Sequence, residues 1–132
     1  MPTAVLVEDN LMFALPLQAA LKSCGYEVLT LAGRPSDRDR VVEALPSLLV
    51  VNLAGRFSGA EFIRTLRSRP ELSELPIVGY AGHVERDRLQ QGLAAGADLV
   101  APNSAVHRAM SEVLAKLEKR RAGLPTEEFP ED

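Results

Sequence analysis

Three short runs of this 132-residue chain, residues 3–7, 47–53 and 76–81, are apolar at nearly every position. A strand with one face in water alternates polar and apolar residues. A short run without alternation marks a strand buried on both faces, which is the environment of the interior of a parallel sheet covered by helices on either side. Two further segments fit the edges of such a sheet: residues 26–31 are mixed in polarity, and residues 98–101 form a short run followed by Pro102, which a sheet tolerates only at its rim.

Helical signals fill the intervals between these runs. Asn10 can cap a helix over residues 11–24, closed by Gly25, in which Pro16 predicts either a kink or a start delayed to near Leu15. Ser36-x-x-Asp39 opens a short helix over 36–45, and Ser58-x-x-Glu61 opens another that carries Phe62, Ile63 and Leu66 on one face before Pro70 stops it. A fourth helix over 84–95 has Leu89 and Leu93 one turn apart and Gly96 behind it. The fifth, over 104–121, carries Val106, Met110, Val113 and Leu117 as a stripe. Five strands alternating with five helices imply right-handed crossovers, so the fold class is α/β: a five-stranded parallel sheet in the order 2-1-3-4-5, flavodoxin-like, with helices on both faces. Sites in such sheets form at the carboxyl ends of the strands, where the order reverses. That rule gathers Glu8, Asp9, Asn52, Ala81 and Asn103 around one depression.

The residues at these positions give the pattern a family. Val5-Leu6-Val7-Glu8-Asp9-Asn10, Leu48-Leu49-Val50-Val51-Asn52-Leu53, Pro76-Ile77-Val78-Gly79-Tyr80-Ala81-Gly82 and Ala94-Ala95-Gly96-Ala97-Asp98 together resemble the receiver domain of response regulators, the CheY-like fold. The resemblance runs from residue 3 to about residue 121. It implies a phosphoacceptor aspartate ending the third strand, and an acidic pair after the first that holds Mg2+. Glu8 and Asp9 keep the acidic pocket, but the phosphoacceptor-equivalent position is Asn52, whose neutral amide cannot form an acyl phosphate. No Asp or Glu stands between Glu43 and Glu61 to replace it. The switch hydroxyl position is Ala81, the lysine position is Asn103 with Ser104 in place of the usual proline, and the aromatic switch position is Val100. Nucleophile, latch, clamp and readout are thus all missing from the family pattern, and the chain is expected to be a degenerate pseudo-receiver without catalytic residues. The expected cofactor is none, with a weak Mg2+ site at Glu8 and Asp9 left open. The Asn52 amide is expected to hydrogen-bond the Glu8 and Asp9 carboxylates in place of the ion.

Composition narrows the function classes. A single cysteine, Cys24, excludes an internal disulfide, and the two histidines, His83 and His107, spell no metal motif and read as surface residues. No apolar run approaches the ~20 residues that span a bilayer, so a cytoplasmic location without membrane partners is expected. The last eleven residues hold Glu127, Glu128, Glu131 and Asp132 and no base, leaving 15 basic against 14 acidic residues in the rest. That near-neutral body carries no nucleic-acid footprint. The expected organisation is a receiver-like domain over 1–121 followed by an acidic, disordered tail over 122–132. The resemblance implies a stand-alone module of two-component or phosphorelay signalling that acts through a protein partner without phosphorylation. It leaves open a homodimer through the fourth helix, fifth strand and fifth helix. The alternatives are a receiver-like regulator answering Mg2+ or a phospho-anion non-covalently, and a small flavodoxin-like ligand-binding enzyme, against which stands the lack of a phosphate-cradling glycine loop.

Overall fold

The computed structural model describes residues 1–130; Glu131 and Asp132, half of the tail's acids, lie outside the described residues. Its strands are β1 (Thr3–Val7), β2 (Glu27–Leu31), β3 (Leu48–Asn52), β4 (Ile77–Ala81) and β5 (Leu99–Pro102), all parallel and ordered β2-β1-β3-β4-β5. The helices are α1 (Leu11–Ser23), α2 (Asp37–Ala44), α3 (Gly59–Arg67), α4 (Arg86–Ala95), α5 (Asn103–Arg108) and α6 (Met110–Arg121). None is long and apolar enough to cross a membrane, among the described residues.

The continuous apolar runs are explained by what lies above and below them. Val5, Val7, Leu49 and Val51 face a core completed by Val41 of α2 and Phe62, Ile63 and Leu66 of α3. Ala4, Leu6, Leu48 and Val50, the alternate residues, face a second core built on Ala14, Leu17 and Leu21 of α1 and Val106, Met110, Val113 and Leu117 of α5 and α6. Each of the three central strands is therefore buried on both sides, whereas edge strand β2 is mostly half-exposed.

Several local expectations are corrected. Pro16 does not delay α1, which begins at Leu11 and continues through it; the carbonyl that loses its partner belongs to Met12, 78% exposed, where water can replace it. Ser36 does not cap α2. The N-cap position carries no side-chain capping bond; instead the buried Asp37 carboxylate accepts from the N–H groups of Gly33 and Arg34, ahead of the helix, at 3.1 and 2.9 Å, closing the β2–α2 loop. Ser58 does cap α3, accepting from Glu61 N–H, as Asn10 caps α1 by accepting from Met12 N–H. On α4 Gly92 and Ala95 are buried and Leu89 packs half-buried against the core, as expected, but Leu93 is exposed. The missing side chain at Gly92 makes room for Leu53, whose Cδ1 lies 2.6 Å from where a Cβ would stand. The last helix is two, broken at Ala109 (φ −144°, ψ 52°) with neither proline nor glycine at the break, although its stripe still faces the sheet on both segments.

Candidate functional site

Side-chain alternation on the three central strands sets up the site. Residues 4, 6 and 8, residues 48, 50 and 52, and residues 78 and 80 point to the same face. Leu6 pairs with Val50 and Asn52 with Tyr80. Extending that register past Val7 puts Glu8, Asn52 and Tyr80 in one row across the carboxyl ends of β1, β3 and β4. All three are buried, with 3%, 9% and 1% of their surface exposed.

A carboxylate cannot be buried cheaply without partners, and Glu8 has a full set. Tyr80 donates its hydroxyl to Oε1 at 2.6 Å, the Asn52 amide donates Nδ2 to both oxygens at 3.0 Å, and Asn10 donates its backbone N–H to Oε2 at 3.0 Å. The other end of the Asn52 amide is also held, since Oδ1 accepts from Ala54 N–H at 2.8 Å; this fixes which atom is oxygen and which is nitrogen. Burial above all, and then the hydrogen bond and charge of Glu8, push the Tyr80 phenol far above its usual range, so it remains a neutral donor to the carboxylate.

Asp9 is held by the loop after β3 instead. Its Oδ2 accepts from Arg56 N–H at 2.8 Å, and the loop can come this close because residue 55 is glycine: a Cβ there would stand 2.9 Å from Asp9 Oδ1. Outside this layer lies an open depression of about 490 Å3 walled by Asp9, Asn10, Phe13, Asn52 and Arg56.

The structure thus brings together Glu8, Asp9 and Asn52. The expected amide-to-carboxylate bond is present to Glu8, while Asp9 is engaged by backbone instead. Ala81 is 1% exposed and belongs to the apolar core on the face of α3 and α4, against which half-buried Val100 also packs. Asn103, the first residue of α5, makes no hydrogen bond to the row of three among the described residues. His83 lies exposed in the β4–α4 loop; His107 is exposed with its ring edge-on to Phe13 at 5.8 Å, and Cys24 is a half-buried free thiol at the end of α1. Tyr80 was not singled out by sequence reasoning. Its signal was available in the strand parity, because any residue in register with Asn52 at the end of β4 faces the same carboxylate.

As arranged, these side chains do not fit a divalent ion. Mg2+ requires oxygen ligands in a near-octahedral array, but Asn52 presents its NH2 to Glu8, both Glu8 oxygens are already accepting, and one Asp9 oxygen is bound to backbone. Among the described residues no group of three or more His, Cys, Asp or Glu side chains is placed to hold a metal.

A doubly covered parallel sheet in the order β2-β1-β3-β4-β5, here with an acidic pair after its first strand, is the CheY-like, flavodoxin-type fold, and comparison with known proteins agrees. Over 99 residues, 74% of the chain, it is 35% identical to the phosphate regulon transcriptional regulatory protein PhoB of Rhizobium meliloti (strain 1021). The match spans 44% of that relative's length. No family model matches the chain. Among solved structures, a protein from Chloroflexus aurantiacus J-10-fl assigned as a response regulator superposes with a TM-score of 0.79 at 21% identity, over 92% of this chain and 98% of that one. The chemotaxis response regulator CheY4 of Vibrio cholerae does so with a TM-score of 0.74 at 19% identity, over 89% of this chain and 98% of its own. Fold and sequence similarity together support a response-regulator receiver (CheY-like) domain.

Proposed function

We propose that the chain serves two-component signalling as a pseudo-receiver: a domain recognised by a protein partner in one fixed state, without a phosphorylation cycle. The observation that carries this reading is the saturation of Glu8 by Tyr80, Asn52 and the Asn10 N–H. In a working receiver a cation offsets the repulsion among clustered carboxylates and meets the incoming phosphoryl group. Here neutral hydrogen-bond donors inside the fold do the first of those tasks, and they leave no nucleophile for the second. Asn52 at the phosphoacceptor position, Ala81 at the hydroxyl position, Asn103 at the lysine position and Val100 at the aromatic position then form a consistent set, because a latch, a clamp and a rotor serve no purpose where no phosphoryl group arrives. The role is binding rather than catalysis, and neither Mg2+ nor another cofactor is required for it.

The test is intact-mass spectrometry after incubation with acetyl phosphate and Mg2+, beside a phosphorylatable receiver as positive control. The expected outcome is an unchanged mass for this chain. A gain of one phosphoryl group, lost on brief alkaline treatment as an acyl phosphate would be, would overturn the reading.

A further inference from the structure

The segment beyond α6 does not leave the body. At Gly123, whose φ of +75° suits a residue without a side chain, the chain reverses, and Leu124 N–H donates back to Lys119 O at 2.9 Å. From there it runs antiparallel to α6. Arg120 Nε donates to Thr126 Oγ1 at 3.1 Å, and one turn earlier on the helix Lys116 Nζ donates to Glu127 O at 2.8 Å. Lys116 Nζ also stands 4.1 Å from the centroid of the Phe129 ring. That ring is half-buried against the core on the α5–α6 face, and together with Pro130 it closes a cavity of about 150 Å3 whose other walls include Pro102, Ala105 and Val113.

This is how a peptide ligand sits in a groove: an aromatic anchor over an apolar floor, a cation across its face, and backbone held by long basic side chains. Charge matches as well, since the last eleven residues carry four acids and no base while α6 offers Lys116, Lys119 and Arg120. We infer that the groove along α5 and α6 is a docking site for an acidic, phenylalanine-anchored segment of a partner protein, and that residues 126–130 occupy it in cis until such a segment displaces them. The contacts suit displacement: they are made by exposed or half-buried side chains at the surface, each weak singly, and the anchor is one half-buried ring. Their occupancy comes from the short tether, which holds the tail at a millimolar effective concentration. The groove gives the proposed interaction domain a place and a class of partner. Its lining includes neither Glu8 nor Asn52, so a peptide-binding assay and a phosphorylation assay can fail independently.

The test uses the full chain and a fluorescent peptide with the sequence of residues 123–132, followed by anisotropy. Phe129→Ala is expected to bind the peptide at least tenfold more tightly than the unsubstituted chain, because its own tail no longer competes. The same peptide with its phenylalanine replaced by alanine should not bind, and adding Lys116→Glu to Phe129→Ala should abolish binding. Equal weak binding by the two chains would overturn the inference. So would a concentration-dependent dimer of Phe129→Ala without peptide binding, which would assign the groove to a second copy. Circular dichroism of each variant checks that the fold is kept.

Discussion

Asn52→Asp is expected to lower the stability of the metal-free chain by about 3 kcal/mol, and that loss should be recoverable with Mg2+. The Asn52 amide nitrogen is 3.0 Å from both oxygens of Glu8, in a row of side chains nearly closed to water. A carboxylate in its place would remove both bonds and set a like charge against Glu8, where little solvent can screen it. Millimolar Mg2+ would then have three carboxylates to bridge, those of Glu8, Asp9 and the new side chain, and binding to the folded state alone raises stability with ion concentration. Urea denaturation with and without Mg2+ measures both effects. The urea midpoint of the unsubstituted chain should not move with Mg2+. With Ala81 and Asn103 unchanged, phosphorylation of the variant should produce no spectral change beyond the pocket. A variant as stable as its parent without metal would mean that the amide is not what holds Glu8.

Gly59→Ala should be nearly as damaging, for a steric reason. Alanine is ordinarily the better helix former by about 1 kcal/mol, yet here the added Cβ would stand 2.4 Å from the Asn52 carbonyl oxygen and 2.9 Å from Leu53 Cα. Both obstacles are backbone of the strand end that carries the site, so β3 and α3 must separate. The expected net loss is about 3 kcal/mol, read as a melting temperature lower by roughly 10 °C. Gly82→Ala is the control: its Cβ would meet nothing nearer than 3.7 Å, and the change should stay within about 0.5 kcal/mol.

What was legible in the chain and what was not divides along physical lines. Strand order followed from the texture of five segments, because burial on both faces leaves an unbroken apolar run and burial at an edge does not. Glu8 and Asn52 were found from their places after such runs. Tyr80 sits inside an apolar run that by itself signals only a buried strand; its hydroxyl matters through a register that links β4 to β3 and β3 to β1. Ser36 stands at the N-cap of α2 without making a capping bond, because the start of the helix is fixed instead by Asp37 reaching back to Gly33 and Arg34, a loop shape with no local code. Leu93 lost its inward place to Gly92 because Leu53, thirty-nine positions away, needed the space. Nothing in the side chains accounts for the break at Ala109. The four acids of the tail predict a solvated, disordered segment, a signal that says nothing of where its single aromatic residue, Phe129, packs.

The most direct test of the locked pocket is an amide NMR titration of the unsubstituted chain, first with Mg2+ and then with beryllofluoride, which mimics a phosphoryl group on a receiver aspartate. The expected result is no saturable response at Asn52, Tyr80 or in α4, β5 and α6, with at most weak, unsaturated shifts at Glu8 and Asp9. Saturable shifts that spread from Asn52 into the last helices would contradict the account, because they would mean that the pocket still takes the ion and the anion and still passes the signal on.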